Sequence, residues 1–533
     1  MSADRHDVLI MGGGLAGLSL AIQLRRELPQ LSVCVLERGS HPAPVAAFKV
    51  GESSVEIGAH YFDTVLGLQE YLERCQLRKF GLRFFFCEGR EDIDRTTELG
   101  VSEVFPTPSY QLDRGLLETY MGEHAGELGA KFIDRAIVRG ITIDGANEHQ
   151  VRYERDGAEH FTQARWIVDA SGRAGLLKRK LGLELKNNHD ANAVWFRIGE
   201  RICIDDWGSE EWRNVCKPPE RWRSTNHLCG PGYWVWLIPL SSGSHSVGIV
   251  ADAKMHPLES MNNFEKAMQW LEKYQPRVYQ DLVPRREQLQ DFAFLRHFSH
   301  DCKQVYSADR WAITGIAGLF LDPFYSPGSD FIGMSNTYIM DLIARDFRGE
   351  SIARQARRYE QLYFSFYRNM LLMYEDQYPM FGHAQWMPVK IIWDYAYYWG
   401  ILCQFFFQRR LTDVALFARL GEPLAACEEL NRDVQLLLRE ASGKSVGDVG
   451  AHMIDQYQVP WFGELNRGLR DELDTEALCR RIEDNTQMLR DLSAHIHALV
   501  AAGGIDTPEN PFANLRAGGT PAAMQTPSQL QSA

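Results

Sequence analysis

The sequence predicts an α/β fold with a β-rich unit inserted into it and a helical region after it. Three observations carry this. At the N-terminus an apolar run, a glycine cluster and an Ala/Leu-rich segment with helical periodicity follow one another. Further β-branched runs recur to about Ile316, two of them joined through Ser241-Ser242-Gly243-Ser244 as a hairpin. Beyond Phe331 long helical patterns dominate. In order, Asp7–Met11 reads as a strand, Leu15–Leu28 as a helix and Leu31–Leu36 as a second strand, together a βαβ unit. Loops and mixed segments run from Phe48 to about Val104. Gln111–Gly129 reads as a helix, Lys131–Ile143 and Val151–Arg155 as strands of a small sheet, and Trp166–Ala170 as a strand returning to the core. Ala193–Ile198, Tyr233–Pro239 and Ser244–Val250 are strands of the middle region, and Trp311–Ile316 is another buried strand. Helices fill Asn336–Ala501.

The organisation that follows is an α/β core over residues 1–350, built from 1–85, 110–180 and 300–350, with a β-rich insertion at about 185–299. A helical region over 351–502 packs over this core, and 503–533, rich in Gly, Pro, Ser, Thr and Gln, forms a disordered tail.

Composition narrows the function classes. The 533 residues carry a formal net charge of −13 with no long basic tract, which argues against nucleic acid as main partner. Ten cysteines without a CxxC pair read as reduced thiols. No HExxH or close Asp/Glu/His cluster supports a metal site. The first residues show no signal-peptide pattern, so a cytoplasmic location is expected. Val389–Phe407 is aromatic but contains Lys390, Asp394 and Gln404, and reads as a buried or pocket-lining helix rather than a membrane span.

Gly12-Gly13-Gly14-Leu15-Ala16-Gly17 follows a strand and opens a helix, and Glu37 lies at the end of the second strand. Glycines at 12, 14 and 17, with Ala16 between, permit a tight turn and close approach to a pyrophosphate on the helix N-terminus, while Glu37 can accept hydrogen bonds from a ribose. Downstream come Asp113-Arg114 on the next helix, Asp169-Ala170-Ser171-Gly172 at a strand end, and a third strand with Gly315 before Asp322-Pro323. The three elements together resemble the glutathione-reductase-type, Rossmann-like FAD domain of aromatic hydroxylases and halogenases, which implies that Ser53, Arg114, Asp169 and Gly315 join Gly12, Gly14, Ala16, Gly17 and Glu37 around FAD.

Gly51-Glu52-Ser53-Ser54 and Trp234-Val235-Trp236-Leu237-Ile238-Pro239 narrow the resemblance, and the chain is similar to flavin-dependent halogenases from its N-terminus to about Arg348, more loosely beyond. The resemblance implies an enzyme of secondary metabolism that uses FADH2 from a separate flavin reductase, dioxygen, and chloride or bromide. Its substrate would be an electron-rich aromatic, free or tethered to a carrier protein. Lys79, after the Gly-Glu-Ser loop, matches the family's catalytic lysine, with Lys49 as second choice. Trp234, Trp236 and Tyr325 would line the substrate pocket. Tyr325 and Pro327 stand where tryptophan halogenases have Glu and Thr, which places the chain nearer the phenol and pyrrole halogenases and leaves Ser326 and Gly328 for the halide.

Three alternatives stay open at this point. The first is an FAD-dependent monooxygenase or dehydrogenase indifferent to halide. The second is a non-catalytic flavoprotein binding a carrier-tethered metabolite. The third concerns Lys178-Arg179-Lys180, which reads as a solvated face and alternatively as a dock for an acidic carrier. Asp330 reads as the N-cap of a helix starting near Phe331, with a pocket acid as the alternative.

Overall fold

The computed structural model describes residues 4–46, 48–443, 450–503 and 512; all of the expected tail except Gly503 and Phe512 lies outside the described residues. A first sheet has seven strands. Lys131–Ile133, Val33–Leu36, Asp4–Met11 and Ala158–Asp169 run parallel in that order, with Trp311–Ile313 parallel on the last of them. The strand Ala158–Asp169 is twelve residues long, much longer than the five expected. Its first half pairs antiparallel with His149–Arg155, which in turn pairs with Ile137–Thr142. One strand thus belongs to both the parallel sheet and a meander beside it.

Register fixes where a ligand can go. Met11 pairs with Leu36 and with Asp169, and Asp169 with Ile313, so the parallel strands end at one level. Ligands of open α/β sheets bind beyond the carboxyl ends of the strands. The helix Leu15–Glu27 packs under this edge.

The second sheet has eight strands in the order Leu289–Leu295, Ala191–Ile198, His245–Asp252, Tyr233–Pro239, Thr225–Gly230, Leu82–Phe86, Thr97–Gly100 and His452–Asp455. Period-two alternation divides Tyr233–Pro239 between two cores. Tyr233, Val235 and Leu237 face the helices Phe264–Tyr274 and Pro276–Leu282, whereas Trp234, Trp236 and Ile238 face the first sheet and the C-terminal helices. Two membership details differ from the sequence reading. Leu82–Phe86, expected within the dinucleotide core, is a strand of the second sheet, and His452–Asp455 from the helical region closes its far edge.

The C-terminal helices are Gly328–Phe347, Ala353–Leu371, a continuous helical stretch Trp386–Phe407, Gly421–Ser442 and Thr475–Ala501. Trp386–Phe407 is buried almost throughout. Among the described residues no helix is long and apolar enough to cross a membrane.

Candidate active site

The glycine loop opens onto a groove of about 530 Å³, lined by Gly12, Gly14, Ala16, Glu37, Ser53 and Arg114 among others. A Cβ on Gly12, whose φ is +120°, would lie 2.2 Å from the Ala170 carbonyl oxygen, so only glycine lets the two strand ends approach. Gly14 stands at the start of the helix Leu15–Glu27 with no side-chain cap and with open space where its Cβ would be. The first N–H groups of that helix therefore face the groove without an internal acceptor, as an anion site requires. Glu37 accepts the N–H groups of Gly13 and Gly39, both at 2.7 Å, and keeps lone pairs toward the groove. The cradle fits a dinucleotide.

Other cofactor candidates separate into groove wall and support. Arg114 lines the groove, donates to the Val50 carbonyl at 2.8 Å and pairs with Glu118. Lys49 is also in the wall and pairs with Glu118 at 2.8 Å. Asp169 and Gly315 are not wall residues. The Asp169 carboxylate accepts Ser171 N–H at 3.0 Å and Leu177 N–H at 2.6 Å, fixing the turn that carries the wall residues Ser171 and Gly172. Gly315, at φ +62°, lets the end of Trp311–Ile313 pack on Ala16, 2.8 Å from where its Cβ would stand.

A second, much smaller cavity of about 20 Å³, room for a water or two, is walled by Tyr325, Pro327, Asp330, Met370, Met373, Asp394 and four tyrosine or aliphatic neighbours. Tyr325 lines this cavity, but Trp234 and Trp236 line the groove instead, because period-two alternation turns them to the cofactor side. Their indoles donate to Tyr378 and Ser246, at 3.0 and 3.1 Å.

Lys79 sits in the partition. Its Nζ donates to Ser53 Oγ, a groove-wall residue, and to the Ser54 carbonyl next to the cavity-wall residue Val55, both at 2.8 Å. Burial pushes the Lys79 ammonium down to about 7, against the opposite pull of the Glu56 and Asp330 carboxylates. Burial likewise raises Asp330 to about 8 and raises Glu56. Glu56 keeps one carboxylate oxygen with no hydrogen-bond partner.

Asp330 is not a helix cap. The helix starts at Gly328, so residue 330 falls inside its first turn, and the carboxylate accepts Gly58 N–H at 2.8 Å and Tyr398 Oη–H at 2.7 Å. Ser326 and Gly328 line the groove at this helix N-terminus. Pro327 occupies the position before the first turn, where its missing N–H removes none of the turn's donors. Ser329 also lines the groove, and its buried hydroxyl has no partner. The run Lys178-Arg179-Lys180 is not wholly solvated, since Lys178 is buried and donates to the Gly318 carbonyl at 2.6 Å.

Sequence reasoning missed Glu56, Ser329 and the pair Lys390–Asp394 as site residues. Only the last left a signal, two charges four residues apart in an otherwise apolar helix. Among the described residues no group of His, Cys, Asp and Glu is arranged to hold a metal ion.

Residues 5–216 match the family model described as "FAD binding domain". The chain is 27% identical over 498 residues to the flavin-dependent halogenase chlA of Dictyostelium discoideum, covering 84% of this chain and 80% of that one. It is 27% identical over 352 residues to a Pseudomonas fluorescens chlorinase of 1H-pyrrole-2-carbonyl on a peptidyl-carrier protein, covering 62% and 73%. The crystal structure of halogenase PltM superposes with a TM-score of 0.65 at 16% identity, over 90% of this chain and 97% of that one. FAD is accordingly the cofactor of this chain, and the fold is the FAD-binding Rossmann-like fold shared with halogenase structures.

Proposed function

We propose that this chain, which belongs to the flavin-dependent halogenase family, installs chloride or bromide on an electron-rich aromatic substrate of phenol or pyrrole type. The observation that carries the proposal is Lys79, a buried lysine with a depressed pKa in the wall between an FAD groove and an aromatic cavity. Bound reduced FAD supplies, with dioxygen, the two-electron oxidation of halide to hypohalous acid. The residues of the chain do the rest.

Gly12, Gly14, Gly17 and Glu37 hold the dinucleotide, and Ser53 and Arg114 its inner wall. The positive end of the helix Gly328–Phe347, with Ser326 and the Gly328 N–H, offers halide a site on the groove side. Hypohalous acid meets Lys79 in the partition. As ammonium, Lys79 donates a hydrogen bond that polarises the oxidant. As amine, its nitrogen takes the halogen while the O–X bond breaks, and the departing hydroxide leaves as water with one amine proton. A pKa of about 7 makes both forms available near neutral pH. Burial excludes bulk water from this step and keeps the oxidant for the substrate.

The single dinucleotide fingerprint of the sequence fits a separate reductase as the source of the reduced flavin. The relatives include carrier-protein halogenases, so both free and carrier-tethered rings belong in the substrate screen. The deciding assay supplies FAD, NADH, a flavin reductase, oxygen and bromide to wild type and Lys79→Ala, with a panel of phenols and pyrroles. Brominated product from wild type and none from Lys79→Ala, with reduced flavin consumed by both, is the expected result. A hydroxylated product that forms equally without halide overturns the reading in favour of a monooxygenase.

A further inference from the structure

Behind the cavity-wall residue Asp394 lies a second buried lysine, Lys390, that the halogen-handling step does not use. Lys390 and Asp394 are one helical turn apart on Trp386–Tyr397, both essentially inaccessible to solvent, and form an ion pair. Asp394 Oδ2 also accepts the Tyr325 hydroxyl at 2.7 Å, and Oδ1 accepts Gln435 Nε2 at 2.6 Å. Among the described residues Asp394 is the sole hydrogen-bond partner of Lys390, whose Nζ lies 5.8 Å from the centre of the Tyr325 ring.

Burying two charges costs several kcal/mol per ion, and a well-packed apolar pair is commonly as stable. Stability alone therefore gives no reason for the pair. A carboxylate has about four lone-pair sites; Lys390, Tyr325 and Gln435 fill three. Asp394 lines the cavity together with Tyr325 and Asp330, among Met370, Met373 and Tyr395. Methionine side chains can move aside for a ring, and the cavity's largely apolar wall then presents the free lone pair of Asp394 as an acceptor.

Building on the halogenase reading above, we infer that Asp394 is the acceptor for a ring hydroxyl of the substrate and takes its proton, making the cavity a subsite for phenols. Lys390 and Tyr325 are positioning residues that hold the carboxylate in place. The substrate O–H bond breaks, its proton passes to Asp394, and the phenolate carries its electron pair into the ring under the field of Lys390. A ring carbon then forms the C–X bond as the X–O or X–N bond breaks. The proton lost from that carbon leaves with the departing group, and Asp394 returns its proton to the ring oxygen.

The test uses the FAD-loaded protein and two probe pairs. Difference spectra with 4-hydroxybenzaldehyde at a pH where the free phenol is protonated read the ionisation of the bound phenol directly, without turnover. Steady-state bromination of resorcinol and of its dimethyl ether reads discrimination. The expected result is a phenolate band on wild type that Asp394→Asn loses. A resorcinol preference that falls at least tenfold in that variant, through KM and kcat together, completes it; Tyr325→Phe gives a smaller fall. Should Asp394→Asn fail to bind FAD, the charge-free double variant Lys390→Met/Asp394→Leu replaces it, with the same outcome expected. An FAD-binding variant that keeps both the band and the preference overturns the inference. Failure of wild type to brominate either probe or a soluble hypobromite trap refutes the halogenase reading instead, and the difference spectrum still decides the subsite.

Discussion

Replacing Lys79 with methionine should abolish halogenation and make the protein more stable. The two effects share one cause. An ordinary lysine titrates at 10.5, and burial brings Lys79 down to about 7. At about 1.4 kcal/mol per pH unit of displacement, holding this group in the wall costs about 5 kcal/mol at neutral pH. Part of that cost returns to Glu56 and Asp330, whose carboxylates the Lys79 charge favours, so the expected gain is about 2–4 kcal/mol. Methionine matches the stem's volume and leaves no charge behind. For a chain of this length the gain corresponds to a rise of about 2–4 °C in Tm at pH 7. The sign with pH is fixed. Between about 7 and 10.5 the unfolded state binds the proton that the folded state has lost, so wild type gains stability as pH rises through that window, and its gap to Lys79→Met closes. Thermal scans of the FAD-loaded proteins at one scan rate, from pH 7 to pH 10, measure both. A Tm for Lys79→Met below wild type at pH 7, or a gap that does not narrow toward pH 10, refutes the reasoning that burial depresses Lys79.

Three further outcomes are expected. Gly12→Ala places a methyl 2.2 Å from the Ala170 carbonyl oxygen and should weaken FAD binding at least about 100-fold, near 3 kcal/mol, read by flavin retention on gel filtration. Glu56→Gln removes a carboxylate whose charge raises the Lys79 pKa; the limb of the halogenation pH profile near 7 should move to lower pH, and an unmoved limb denies that Lys79 is the titrating group. Arg221→Met leaves the buried Glu98, held by Arg83 and Arg221, with one cation. The loss should be about 3–5 kcal/mol, seen as a lower midpoint in urea, with bromination by the surviving folded protein unchanged.

The strand–glycine–helix unit was legible because its chemistry is local: Gly12 to Glu37 lie within one βαβ unit, and spacing alone puts the acid at the strand end beside the glycine turn. Tyr233–Pro239 was legible for a similar reason, a run of β-formers bounded by turn residues. Which way its tryptophans face was not, because two buried faces give no polar alternation to read. Trp234 and Trp236 went to the cofactor side while Tyr233, Val235 and Leu237 went to the other core. Leu82–Phe86 was misplaced because its partner Thr225–Gly230 lies far along the chain, and no local pattern records that pairing.

The same distance hides most of the candidate site. Asp330 looked like a cap because Asp near a helix start usually is one; the acceptor role comes from Gly58 and Tyr398, on segments hundreds of residues earlier and dozens later. Ser329 looked like any helix residue until the fold buried its hydroxyl beside Gly58 with no partner. Lys390 and Asp394 left a trace, since two charges one turn apart in an aromatic helix must answer each other or a ligand. Each charge meets the other, and Asp394 meets the cavity as well. The lysine of the partition and the carboxylate of the cavity lie far apart in the sequence. Only the packing of Trp386–Phe407 against the dinucleotide core brings the carboxylate to the cavity that the lysine's partition bounds, which is what the two proposed roles require.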